Sequence, residues 1–173
     1  DGTAITTAFN LASRGVTLNA LENLIGFSGG LTISAAQLNR FSAAVGGFID
    51  TGTLTIADAG IIDISNEYVL TDVINLSAAG NNLSLSAVAG YGHFDGTVNG
   101  GAGSDTITIL RGNLTVVLNG GGGSDKLTAG AGFDSLYGGT GSDSLYGGGG
   151  QDLLNGGSAN DRLYGGSGND TLL

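Results

Sequence analysis

Apolar and polar residues alternate in short bursts through the first hundred positions. The triplets LTI (31–33), LTI (54–56), IDI (62–64) and INL (74–76), and the run LSLS (83–86), put every second side chain on one face. A period of two marks a strand with one buried face. The pattern predicts strands at Val16–Leu21, Leu31–Ser34, Thr53–Ala57, Ile61–Ser65, Val73–Ser77 and Leu83–Val88, with Gly, Asn and Asp between them as turn formers. One stretch changes period. Ser34-Ala-Ala-Gln37 has capping-box spacing, Leu38, Phe41 and Val45 share a helical face, and Gly46-Gly47 ends it, so one short helix is expected there. Strands this short cannot bury a face alone. The similar starts of LTISAAQL at 31 and LTIADAG at 54 point to degenerate coils, stacked into an irregular β-solenoid over residues 1–99. An α+β cap is the competing arrangement.

From residue 100 the pattern becomes a nonapeptide, Gly-Gly-x-Gly-x-Asp-x-Leu-x. One copy, GGAGSDTIT, spans 100–108. Six more run from 120 to 173 without a gap: GGGGSDKLT, AGAGFDSLY, GGTGSDSLY, GGGGQDLLN, GGSANDRLY and GGSGNDTLL. The early positions reverse the chain, and Gly takes the positive φ values that such turns need. The x-Leu-x segment makes a short strand with its central side chain inward. Leu127, Leu136, Leu145, Leu154, Leu163 and Leu172 form the inner file. Two nonapeptides close one coil, so Asp125, Asp143 and Asp161 share one edge and Asp134, Asp152 and Asp170 the other. Residues 109–119 read as one lapsed repeat. Ile107 and Ile109 lie in a strand, Arg111-Gly112-Asn113 makes a turn without Asp, and Thr115–Leu118 returns. Asp105 is 20 residues before Asp125, close to the 18 between alternate nonapeptides.

Composition narrows the chemistry. Gly is 35 of 173 residues with no collagen triplet, so the glycines serve turns. Pro, Cys, Met and Trp are absent, which removes disulfides and thiolate metal sites, and a single His argues against zinc. Thirteen Asp and two Glu face four Arg and one Lys, for a net charge of -10. A solvated acidic face mixes in Glu; short carboxylates in Gly-rich turns suit a hard cation such as calcium. No basic patch exists for nucleic acid, and no apolar run is long enough for membrane insertion as a helix. The chain opens at Asp1 without Met and stops at a repeat boundary, as a segment of a longer protein would. Stacked coils lie about 4.8 Å apart. Like carboxylates at that spacing repel unless a cation lies between them. One buried Leu per nine residues returns about 1.5–3 kcal/mol, well short of the conformational entropy of ordering the turn. Ion binding coupled to folding supplies the remainder.

The nonapeptide resembles the repeats-in-toxin, or hemolysin-type, calcium-binding family. Asp holds the sixth position in all seven copies; Ala129 replaces a first Gly and Ala159 a fourth. The resemblance implies a right-handed parallel β-roll, all-β, with calcium-binding turns. It also implies a ligand scheme in which one loop gives the carbonyls of its first and third residues and its Asp. The next loop on that edge gives the carbonyls of its second and fourth residues and its Asp. For Asp125/Asp143 the carbonyls are those of Gly120, Gly122, Gly139 and Gly141. For Asp143/Asp161 they are Gly138, Thr140, Gly157 and Ala159. For Asp134/Asp152 they are Ala129, Ala131, Gly148 and Gly150. For Asp152/Asp170 they are Gly147, Gly149, Gly166 and Gly168, and Asp105/Asp125 is a fifth candidate pair. The resemblance further implies export by a type I secretion system and folding outside the cell.

Other signals are weaker. GAGFDS and GTGSDS lack the third Gly and the Gly-Lys-Ser/Thr of nucleotide loops. His93 near Asp95 has no nucleophile elbow or HExxH to complete a catalytic set, and nothing marks a two-carboxylate glycosidase site. Tyr137, Tyr146 and Tyr164 hold the outward ninth position, with Tyr146 over Tyr164 on one sheet, as packing or as a contact for sugar or a partner. The expectation is a non-enzymatic calcium-binding structural module of a secreted bacterial surface protein, of surface-layer or adhesin type. Its partners would be calcium ions, further copies in a surface array, or cell-surface polysaccharide. The alternative is the accessory roll of a secreted protease, lipase or polysaccharide-modifying enzyme, or of a pore-forming toxin.

Overall fold

The computed structural model describes residues 9–10, 23–27, 31–34, 48–51, 53–63, 68–69, 73–86, 95–110 and 114–173. Among the described residues nineteen strands, numbered in chain order, form three sheets, and every strand pair is parallel. The first sheet stacks β1 (Phe9–Asn10), β3 (Leu31–Ile33), β5 (Thr53–Ile56), β8 (Val73–Asn75), β10 (Thr97–Gly101), β12 (Val117–Gly122), β15 (Ser135–Thr140), β17 (Leu153–Ser158) and β19 (Thr171–Leu172) in that order. The second runs β6 (Ile61–Asp63), β9 (Asn82–Ser86), β11 (Thr106–Leu110), β13 (Lys126–Thr128), β16 (Ser144–Gly150) and β18 (Arg162–Ser167), with β14 (Ala131–Gly132) also on β16. The third holds β2 (Asn23–Phe27), β4 (Phe48–Thr51) and β7 (Tyr68–Val69). Sheet order follows chain order because each coil can bury its apolar file only against the coil before it.

Among the described residues the coil of β5, β6 and β7 visits all three sheets, and the downstream coils visit two. Partners in the first sheet step from Leu54 to Ile74 to Val98 to Leu118, then by eighteen residues to Leu136, Leu154 and Leu172. The eighteen-residue step is the double nonapeptide. Five of the strands expected before residue 99 are present with slightly shorter bounds; Val16–Leu21 and the helix expected over 34–47 lie essentially outside the described residues. Among those that are described there is no helix, and so none long and apolar enough to cross a membrane. Strands β15 to β18 are longer than the expected x-Leu-x triplet, whereas β13 matches it. Ser144–Gly150 continues through four glycines, because the first residues of the next repeat stay in the ladder before the chain turns.

The core is a file of inward side chains. Leu54, Ile74, Val98, Leu118, Leu136 and Leu154 stack on one side, and Leu83, Ile107, Leu127 and Leu145 on the other, all fully buried. Leu163 packs on the end of this cluster. A second inward file changes character along the stack. In the first sheet it reads Ile56, Leu76, Gly100, Gly120, Gly138, Gly156. In the second it reads Ile109, Ala129, Gly147, Gly165. All but Gly are apolar upstream, and the volume that they fill passes downstream to a carboxylate.

Candidate metal centre

Each repeat aspartate lies at the end of a turn, one residue before the next strand. The parallel ladder sets it beneath the aspartate of the preceding coil. The carboxylates then run as two chains of hydrogen bonds along the solenoid. On one edge the Asp105 N–H donates to Asp125 Oδ1 at 2.8 Å, Asp125 N–H to Asp143 Oδ1 at 2.8 Å, and Asp143 N–H to Asp161 Oδ1 at 2.8 Å. On the other, Val116 N–H donates to Asp134 Oδ1 at 2.9 Å, Asp134 N–H to Asp152 Oδ1 at 2.9 Å, and Asp152 N–H to Asp170 Oδ1 at 3.0 Å. The structure thus brings together the two expected sets of three, and adds Asp105 to the first in the same geometry. The two extra residues before Asp125 do not disturb it. Val117 already pairs Ser135 at the eighteen-residue step, so the insertion is absorbed on the opposite edge, between Ile109 and Val116.

The second carboxylate oxygen is the informative one. Oδ2 of Asp105, Asp125, Asp134, Asp143 and Asp152 is buried and has no hydrogen-bond donor. In Asp105, Asp125, Asp143 and Asp152 it lies over the first glycine of the same repeat, whereas the repeat of Asp134 begins with Ala129. A Cβ at Gly100 would sit 2.6 Å from Asp105 Oδ2 and 2.5 Å from the Gly120 carbonyl oxygen. Gly120, Gly138 and Gly147 repeat the arrangement with Asp125, Asp143 and Asp152, and with the carbonyls of Gly138, Gly156 and Gly165. Each space left by a missing side chain therefore holds a carboxylate oxygen and a carbonyl oxygen with no proton between them. Leaving a buried acceptor unpaired costs about 1–3 kcal/mol, more for a charged one.

Burial raises these carboxyls. Asp125 and Asp134 are pushed up to about 6 by desolvation, which outweighs the hydrogen bonds from the Asp105 and Val116 backbones; Asp143 and Asp105 add repulsion at the first, Asp152 at the second. Asp105, Asp143 and Asp152 are raised for the same leading reason. Among the described residues no three acidic, His or Cys side chains converge on one point. Carboxylates arrive one per turn, so any metal must complete its shell with backbone oxygens. An all-oxygen set of this kind, with charge but no nitrogen or sulfur, fits calcium, which accepts six to eight oxygens in flexible geometry.

The turn carbonyls named above lie on these two edges. Gly139, Gly141, Gly148, Gly150, Gly157, Gly166 and Gly168 have positive φ. At the fourth position of its turn Ala159 keeps φ 86, against 118 at Gly141 and 127 at Gly168, the only non-Gly positive φ among the described residues. Gly120, Ala129, Gly138 and Gly147 are buried first residues, while Gly122, Ala131, Thr140 and Gly149 lie nearer the surface. Asp161 and Asp170 are less enclosed, being in the last coils. Sequence reasoning missed Asn81. It occupies the aspartate position one coil upstream, paired through Asn82↔Thr106, and its N–H donates to Asp105 Oδ1 at 2.7 Å. Its signal was weak, because Leu76 stands five residues before it where the repeats have Gly.

The outer faces carry ladders of another kind. Tyr146 and Tyr164 stack at 4.8 Å and 5°, with Lys126 Nζ 5.8 Å from the Tyr146 ring. Asn119 Nδ2 donates to Asn99 Oδ1, and Asn99 Nδ2 to Asn75 Oδ1, both at 2.8 Å. Tyr137 lies on the first sheet between Asn119 and Asn155. His93 is outside the described residues.

A parallel β-solenoid with in-phase aspartates and glycine turns defines a calcium-binding structural module. Residues 94–113, 119–154 and 137–172 match the model of the RTX calcium-binding nonapeptide repeat, in four copies. No curated protein and no solved structure matches the chain.

Proposed function

We propose that the aspartates of successive turns hold calcium between them at Asp105/Asp125, Asp125/Asp143 and Asp143/Asp161 on one edge, and at Asp134/Asp152 and Asp152/Asp170 on the other. The row of five buried Oδ2 atoms without donors, four of them beside a glycine carbonyl, carries this reading. The carboxylates supply charge, and the glycine turns supply carbonyls that no side chain covers. The calcium would replace repulsion between neighbouring carboxylates with attraction to both. On this reading the solenoid changes near residue 99, from coils closed by apolar side chains to coils closed by ions.

Sites built from exposed turns fall in the weak class of extracellular modules, with dissociation constants of about 10⁻⁴–10⁻³ M. Such sites fill outside a cell and stay empty inside. We therefore place the module in a secreted bacterial protein that folds after export, with a structural role of surface-layer or adhesin type. A calcium titration of the full chain, followed by far-UV circular dichroism and native mass spectrometry, tests the binding. Strand signal should grow with calcium as up to five ions bind. Full strand signal in excess chelator, with no ion bound on adding calcium, defeats the reading. Imaging the parent protein with and without calcium tests the role: a calcium-dependent two-dimensional lattice supports the surface layer, and dispersed particles in both oppose it.

A further inference from the structure

Asn81 differs from the aspartates below it in one respect: its polar atoms are satisfied. The backbone N–H and the Nδ2 both donate to Asp105 Oδ1, at 2.7 and 2.9 Å. The carbonyls of Ser77 at 3.1 Å and Ala79 at 2.6 Å also lie within hydrogen-bond distance of Nδ2, so its two protons are shared among three acceptors. The Ser77 hydroxyl lies 3.1 Å from Asn81 Oδ1 and can donate to it. The side chain is 5 % exposed. Ser77 and Ala79 are the second and fourth residues of this turn, in register with Gly101 and Gly103. In the later turns the resemblance assigns the carbonyls of the second and fourth positions to the ion shared with the preceding coil. One neutral amide therefore gathers two turn carbonyls and a carboxylate of the next coil. The space that an aspartate Oδ2 fills in later turns is taken here by Leu76, 7 % exposed and part of the core.

We infer that Asn81 stands in for a cation. It closes the first turn of the aspartate edge with hydrogen bonds alone, and so sets the point above which the solenoid folds without calcium and below which it needs the ion. The coil that ends in Asn81 is then a preformed template. Its N–H orients the Asp105 carboxylate before any ion arrives, and the ion-dependent coils add to it in order. This inference rests on the calcium reading proposed above.

Hydrogen exchange of the full chain, in excess chelator and in excess calcium, tests it. The amides of 73–86 should be protected in both conditions. Those of 117–173 should lose about a hundredfold or more in chelator, the mark of a separate cooperative unit. If 73–86 loses protection together with the later coils, the inference is overturned while the calcium reading stands. If every coil is equally protected in chelator, the calcium reading itself has failed. The variant Asn81→Asp supplies the second arm. It replaces the donor by a carboxylate facing two carbonyls and Asp105, so protection of 73–86 should become calcium-dependent. Protection that persists in chelator, or that is lost in calcium as well, overturns the inference.

Discussion

Replacing Asp143 by Asn separates the two faces of the carboxylate ladder. Asp143 is fully buried and belongs to two of the proposed pairs, whereas Asp170 belongs to one. A ligand at a hundred times its dissociation constant stabilises the folded state by about 2.7 kcal/mol per site. Losing both sites at Asp143 costs about 5 kcal/mol in excess calcium, and Asp170→Asn about half of that. In chelator the sign reverses. The Asn Oδ1 still accepts from the Asp125 N–H, and the new NH₂ group replaces an Oδ2 that has no donor and faces the Gly156 carbonyl. Removing that buried unpaired acceptor should stabilise the ion-free fold by about 1–3 kcal/mol. Urea unfolding of both variants in calcium, and the strand signal of Asp143→Asn against the parent chain in chelator, both by circular dichroism, measure these three values. A shift of the same sign in the two conditions would refute the reasoning, since a purely structural aspartate has no reason to change sign with the ion.

Protons should substitute for calcium. Asp125 and Asp134 titrate near 6 in the ion-free fold against 3.8 when unfolded, so the fold binds more protons than the unfolded chain between those values. Their contribution to ion-free stability is complete below the unfolded value and is lost as pH rises through about 6. Acidification in chelator should therefore raise the strand signal by circular dichroism, while calcium affinity from titration falls over the same window; ion-free stability that falls on acidification contradicts this. Ala159→Gly should stabilise the fold by about 0.5–1 kcal/mol, because the strain of a left-handed Ala exceeds the unfolded-state entropy that Gly adds. Thermal unfolding in calcium would show it as a higher midpoint. Leu145→Ala, in the middle of the inner file, should cost about 2–5 kcal/mol in calcium, read by the same urea assay.

The repeat phase was legible because two independent demands fall on every ninth residue. Leu must reach the core and Asp must not enter it without a partner, so Leu127–Leu172 and Asp125–Asp170 announce both the coil and its two edges. Alternation likewise located the strands from Leu31 to Ser86, because a one-sided apolar file leaves a period of two whatever the coil length. Where the spacing lapses, the sequence offered Asp105/Asp125 as a candidate pair without fixing its register. Asp105 and Asp125 stand in register because the two extra residues are taken up near Ile109–Val116, and only the ladder of Val117 against Ser135 decides that. The sequence could not reveal Asn81, whose role depends on a neighbour 24 residues away that supplies the carboxylate. The gradual change from Leu76 to Gly100, and from Ile109 through Ala129 to Gly147, reads as unrelated residues along the chain. Stacked in space it becomes one position, where an apolar side chain gives way to a carboxylate. Local pattern determined the coil, because turn and strand preferences act over nine residues. Tertiary stacking decided where the proposed ion sites begin, because an ion held between turns needs oxygens from two coils at once.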